Sequence, residues 1–452
     1  MERIDEKPLF SRRRLLALFI PLVIEQLLGT TVGMADTVMV ASVGEKAVSS
    51  VAIVNSVNNL IIMLLSALAT GGAVVVAQYI GRQEIMNARV AAKQLLYSTA
   101  GLMLLLALAA ALWNGPILRL IYGPDLDPDV MAGAKIYFLI TGLSYPFLAV
   151  YNACAALFRS MGNSRISMVA SFIMNVVNVT GNAILIYVYK WGPAGAAAAT
   201  LLSRVVASVM MLIFIQNGNN LIYLEHPFRF KPKLDMIRRI LTVGIPSGIE
   251  NSIFQIGKLF VQSLVASLGT ASIAANSILD SLWGVTMVPG MAVNLTIITV
   301  VGQCVGARRF SEAEQYTKKL IMTSVLALSL VGLPSILISG KLIGFFNLSS
   351  EATSICMRLY PLMIVTDILL WPLAFGTPNA LRAAGDVRYT MVVAVISMWV
   401  FRVGFSYIFV KGLSFGLVGT WYAMFMDWAC RIVCFVLRFK RGKWKEKSVI
   451  DA

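Results

Sequence analysis

Twelve apolar runs follow one another along the chain, separated by short breaks that hold most of its charge, glycine and proline. A run of about 18 or more apolar residues crosses the roughly 30 Å hydrocarbon core of a bilayer as a helix. The pattern predicts spans over 15–40, 47–80, 92–115, 132–158, 166–189 and 194–216. A second set covers 240–265, 273–305, 320–340, 356–382, 389–410 and 418–439. The expected fold class is an all-α polytopic membrane protein.

Composition agrees: 58% of the 452 residues are hydrophobic, only 13% are charged, and the mean hydropathy is +0.78, outside the range of ordinary soluble domains. Lysine and arginine are unevenly placed. With the N-terminus inside, the inner loops and tails collect most of them, including Arg12 to Arg14, Arg159, Arg238, Arg239, Arg308 and Arg309, while the outer loops keep only Lys46, Arg119, Lys190, Lys341 and Lys411. Positive loops stay cytoplasmic, so both termini are expected inside. The formal net charge of +16 is then a topology signal, and no nucleic-acid partner is needed to explain it. The expected partners are the lipid bilayer and a small-molecule substrate. The basic N-terminus and the run after it are read as a retained first helix, because the run continues past Glu25 to Val40 without a small-residue cleavage site. The five cysteines fall in predicted helices without paired spacing, which suggests neither a disulfide framework nor a zinc site.

The chain also repeats. At an offset of 225 residues Pro21 and Glu25 fall on Pro246 and Glu250, Gly44 on Gly269, Gln78 and Gly81 on Gln303 and Gly306; at 223, "FRSMGNSR" falls on "LRAAGDVR". Six helices have been duplicated, and an even number inserts both copies in the same direction. The expected architecture is two six-helix bundles related by a pseudo-two-fold along the membrane normal. They comprise an N-terminal lobe, 1–216, a cytoplasmic linker, 217–239, and a C-terminal lobe, 240–452. Such lobes rock to expose a central cavity alternately, as carriers do. No GxxxxGK[ST] loop occurs, so an ion gradient is the expected energy source and no enzymatic activity is predicted.

Intramembrane polar groups are the candidate chemistry, because a charge at the bilayer centre costs about 2.5–3.5 kcal/mol on insertion scales. Glu25 and Asp36 are eleven residues apart, within about 20° of one helix face and roughly 16 Å along it, with Gly29 and Gly33 between them on the same side. Asp36 is alternatively interfacial, near the outer headgroups, and Glu25 alternatively bonds only to a neighbouring helix. Glu250 repeats Glu25, but the position matching Asp36 is Val261. Helix seven carries Lys258, and helix eight carries Asp280 where helix two has Asn55; a buried ion pair between them lowers the burial cost of both. Asn178 and Asn182 lie one turn apart in helix five; such amides commonly hold helices together in membranes, and with a carboxylate and Thr200 they alternatively complete an oxygen-rich cation site. The single histidine, His226, falls in the linker, which excludes a histidine proton relay.

Together "MADTVMVASVGEKAVSSVAIV", "RSMGNSR", "GNAILIY" with "GPAGAAAAT", and "GIPSGIEN" resemble the MATE family, the multidrug and toxic compound extrusion antiporters. The resemblance covers about Leu15 to Phe439. It implies export of amphipathic, often cationic compounds in exchange for protons or sodium, in the cytoplasmic membrane of a prokaryote, by a monomer without a cofactor beyond the coupling ion. It makes Asp36 the coupling acid, which would be the place for any sodium, with Asn178 and Thr200 beside it. Asn182 departs from the pattern, since many relatives have aspartate there, and that weakens the case for sodium. The acids of the sodium-dependent branch's second lobe are replaced by Phe254 and Trp371, with Glu250 and Asp367 about a turn out of register. Glu25, Glu250, Lys258 and Asp280 remain candidates for substrate binding or gating. The alternative is a lipid-linked oligosaccharide flippase, for which buried cations are few, chiefly Lys258, Arg204 and Arg402.

Overall fold

The computed structural model describes residues 8–123, 127–224 and 231–451; Arg3, Lys7, Asp125, His226 and Arg229 lie outside the described residues. Twelve helical spans follow. In the first half α1 is Arg12–Ala41, α2 Glu45–Gly81, α3 Ile85–Tyr122, α4 the pair Pro128–Leu143 and Tyr145–Ser160, α5 Ser164–Val188 and α6 Pro193–Gln216. In the second, α7 is Leu234–Ala266, α8 the pair Thr270–Thr286 and Val288–Gly306, α9 Phe310–Leu337, α10 Ser350–Ala384, α11 Val387–Gly412 and α12 Leu417–Lys440. Among the described residues ten helices are long and apolar enough to cross a membrane, and the bent pair of α4 makes eleven. α7, interrupted by Glu250 and Lys258, completes the twelve.

Several helices outrun their predicted spans. α3, at 38 residues, outruns its predicted span at both ends: the Arg89 turn continues the helix at its start, and the Arg119 turn follows a kink at Trp113, whose backbone is not helical. α4 is bent by 43° at Ser144, where Pro146 cannot donate to the carbonyl of Gly142.

The chain forms two compact units: Leu16–Ile245, and Pro246 onward together with the described residues before Leu16. The division falls after Ile245 rather than at the linker, because the first turns of α7 pack against α2. There a Cβ on Gly71 would lie 2.5 Å from the Ile240 carbonyl oxygen, and one on Gly244 would lie 3.2 Å from Leu68. Gln94 of α3 holds the incoming chain, donating to the Lys231 carbonyl (2.8 Å) and accepting from the Lys233 N–H (3.1 Å). In the other unit the N–H of Leu9 donates to Glu312 and that of Phe10 to the Tyr316 hydroxyl.

The duplication is visible in the backbone. Among the described residues, positive φ recurs in matched pairs: Gln83 and Arg308, Lys190 and Ser414, Gly44 and Gly269, Gly162 and Gly385, Gly192 and Gly416. Gly385 ends α10 at φ 99°, and a Cβ there would lie 2.0 Å from the Lys447 carbonyl oxygen. Gly385→Ala is therefore expected to lower stability by at least the roughly 1–2 kcal/mol of a left-handed non-glycine residue, whereas Gly218→Ala, with nothing within 4 Å, stays within about 0.5 kcal/mol. Thermal unfolding of the two variants in detergent checks this.

Candidate functional site

In the N-terminal unit the site begins with small residues. Ala196, Ala197 and Ala199 of α6 are buried, and a Cβ on Gly181 of α5 would come within 3.0 Å of the Ala199 Cβ. So close an approach, typical of small residues in membrane bundles, brings the polar faces of α5 and α6 together. The Asn178 amide donates to the Thr200 hydroxyl at 3.3 Å, and Thr200 donates in turn to the Ala196 carbonyl. Asn182 donates to Asp36 Oδ1 at 2.5 Å and to Asn178 Oδ1 at 3.4 Å. Directly after Asn182 the helix widens into a π-helical segment, Ala183–Val188, a feature frequent at functional sites.

Asp36, Asn178, Asn182 and Thr200 are thus brought together on three helices. Asp36 is half-buried and lines a cavity with Gly33, Asn55, Tyr137, Thr200 and Arg204. Neither Gly29 nor Gly33 has an atom within 4 Å of where a Cβ would stand, so the stripe between Glu25 and Asp36 opens onto space rather than onto a close helix. Arg204 is held by its Nη1, which donates to Ser144 Oγ at 2.6 Å at the break in α4. Tyr137 donates to Asn55 Oδ1 (3.4 Å) and Tyr145 to Asn58 Oδ1 (2.6 Å).

Glu25 and Glu250 are placed differently. Glu25 accepts from Arg159 Nη1 at 3.0 Å and from Ser167 Oγ at 2.7 Å. Glu250 accepts from Arg382, whose Nη1 also donates to Asn379 Oδ1 at 2.8 Å. Both acids are buried, and their charge is met within their own units. The two arginines come from the repeated "FRSMGNSR" and "LRAAGDVR" segments, so the same clamp is built twice.

In the C-terminal unit Lys258 and Asp280 are 3.9 Å apart with side chains 44% and 40% exposed. The expected burial of this pair is corrected: both line an open cavity, together with Arg402. Phe254 lies under the guanidinium of Arg402 (5.3 Å) and near that of Arg431 (5.8 Å), and Trp371 stacks on Phe375. Asp367 is fully buried, accepting from Trp283 Nε1 at 3.3 Å.

Among known proteins, the MatE family model matches residues 21–184 and 246–408, one stretch in each half. The chain belongs to the MatE family. It is accordingly a transporter and not an enzyme. It is 26% identical to "Uncharacterized transporter YisQ" of Bacillus subtilis, over 98% of this chain and 97% of that one. It is also 26% identical to "Probable multidrug resistance protein NorM" of Thermotoga maritima, over 97% and 94%. The fold is that of a crystal structure of "MATE in complex with MaD3S", with a TM-score of 0.89 at 21% identity, covering 96% of this chain and 97% of the other. These MatE likenesses do not favour the flippase alternative.

Arg204 and Tyr137 of the Asp36 cavity were not singled out by spacing. Arg204 was visible as an intramembrane cation. Tyr137 offered no signal, because an aromatic in an apolar run reads as packing.

Removing one partner of a buried pair costs about 3–5 kcal/mol, while replacing both by apolar groups costs far less. Glu25→Ala is expected to destabilise by that amount, and the double variant Glu25→Leu, Arg159→Leu to recover most of it. Thermal unfolding of both checks the clamp, and equal losses would count against it.

Proposed function

We propose that this MatE-family chain is a secondary active antiporter. It exports amphipathic organic compounds bearing a basic group from the cytoplasm, and protons drive the exchange. In this reading it works as a monomer in the cytoplasmic membrane of a prokaryote with both termini inside, supported by the even number of spans and by the bias of lysine and arginine. A proton entering down 100 mV supplies about 2.3 kcal/mol before any concentration term.

The observation that carries the choice of ion is the charge of the N-terminal cavity. Asp36 shares it with Arg204, and its nearest partner is the amide of Asn182. With Asp36 ionised the cavity is close to neutral, so a sodium ion, which must exchange its hydration for oxygen ligands, meets no net negative shell, whereas an organic cation also brings an apolar body for Val40, Val48, Val51 and Ile62 to bury. A proton needs no such shell. The Asn182 side chain has both a donor and an acceptor: its NH2 serves the carboxylate, and its Oδ1, buried without a partner, accepts from the carboxylic acid once the amide turns.

The cycle follows from competition for one carboxylate. A basic substrate group neutralises ionised Asp36 in the inward-open state. In the outward-open state a proton takes its place, exchanges the charge-assisted Asn182–Asp36 hydrogen bond for a weaker neutral one and so loosens α1 from α5, and releases the substrate. Return inward delivers the proton to the cytoplasm.

Proteoliposomes loaded with ethidium test this under imposed proton or sodium gradients. A proton gradient alone is expected to drive transport, and Asp36→Asn to abolish it with expression intact. Asn182→Asp is expected to raise the sodium dependence severalfold. Full transport by Asp36→Asn would remove Asp36 from the mechanism, and transport by the unmodified chain under a sodium gradient alone would assign the coupling to sodium.

A further inference from the structure

The charges inside the C-terminal unit are largely matched. Asp427 accepts from Arg431 Nε at 2.8 Å and from Ser397, Glu250 takes Arg382, and Asp386 holds Arg438 through two hydrogen bonds of 2.7 and 3.1 Å. Arg402 is an exception, as is the enclosed Asp367, whose partner is the Trp283 indole. Among the described residues no carboxylate lies within 4.0 Å of Arg402, and its guanidinium rests on the Phe254 ring. It stands in a π-helical segment of α11, Met398–Gly404, and lines the cavity that also holds Lys258 and Asp280. That cavity therefore has two cations against one carboxylate, and Asp280 is further occupied by the Asn276 amide at 3.3 Å.

From this arrangement we propose that the cavity of α7, α8, α11 and α12 binds the carboxylate of an amphipathic organic acid, with Arg402 and Lys258 as its cationic pair. This adds a second substrate class to the export reading above, on which its meaning for transport rests. A guanidinium presents two parallel N–H groups that match a carboxylate, and stacking on Phe254 holds that fork in place. Lys258, only loosely paired at 3.9 Å, supplies a second, mobile charge. Gln262, Asn276 and Thr420 add neutral polar groups, while Val261, Val265, Trp421 and Met424 form an apolar wall for the rest of the molecule. The duplication sharpens the reading. Val261 stands where the first lobe has Asp36, so the one acid left to oppose an anion is Asp280, which Lys258 and Asn276 already meet.

The test is equilibrium binding of radiolabelled 1-naphthylacetate, with 1-naphthylmethylammonium as the control of opposite charge, to the full chain in phosphatidylcholine nanodiscs. Saturable binding of the acid is expected, weakened at least tenfold by Arg402→Gln and severalfold by Lys258→Gln. Asp280→Asn is expected to tighten it, an effect that a purely structural role for these side chains would not produce. If Arg402→Gln fails to fold, Lys258→Gln and Asp280→Asn decide the matter. Absence of saturable binding, or equal affinity across the variants, would overturn the proposal. So would displacement of naphthylacetate by nanodiscs with 20% phosphatidylglycerol, which would assign the cations to a lipid headgroup. The readout needs no ion gradient, so it stands or fails separately from proton coupling through Asp36.

Discussion

Hydrocarbon does not tolerate a charge without a partner, and this constraint decides which polar groups of the chain are free to act. Each unit resolves it in the same way. A glutamate four residues after the proline of its first helix meets an arginine at the end of its fourth, as Glu25 meets Arg159 and Glu250 meets Arg382. The geometry ties α1 to α4 and, through Ser167, to α5. A pair of this kind contributes little net stability over well-packed apolar residues, but it is costly to break halfway. Its consequence is one of position: the helices that carry the clamp cannot shift against each other without exposing a buried charge.

Once those charges are locked, few remain to face open space. The two cavities described above keep Asp36 and Arg204 in the N-terminal unit and Lys258, Asp280 and Arg402 in the C-terminal unit. The units began as copies, as the matched positive-φ positions still record, yet their cavities have taken different charge balances, close to neutral in the first and with cations in excess in the second. Asp36 has become Val261, and Asn55 has become Asp280. The π-helical segments of α5 and α11 contribute to the divergence, because one begins next to Asn182 and the other contains Arg402. Widening a helix by a residue re-aims side chains without moving the helix as a whole, so the scaffold is kept while the chemistry changes.

Much of this was legible beforehand. Twelve apolar runs mark twelve spans, and the period of a helix places Glu25 and Asp36 on one face and Asn178 beside Asn182. Hydropathy stops short at the helix ends, because Arg89, Lys93 and Glu312 are polar but still helical. Arg159 and Arg382 were legible only as loop charges. A count of positive residues does not show that a long side chain reaches back into the protein and carries its charge to a buried acid. The openness of the Lys258 and Asp280 pair was hidden for a related reason, since spacing along two helices fixes that the residues meet but not whether a third helix covers them.

The accessibility of the acids separates their roles. Asp367 and Asp427 are fully enclosed, each with one carboxylate oxygen lacking a partner. Ions reach such groups only after the surrounding helices open, and Asp427 is in addition held by Arg431 and Ser397. Glu25 and Glu250 are held by arginines. Asp36 differs on both counts: it is half-buried, it lines a cavity, and its hydrogen-bond partner is a neutral amide that serves either protonation state. A coupling group has to exchange its ion with water and still sense the packing around it. Among the described carboxylates of the N-terminal bundle interior, Asp36 alone meets both requirements.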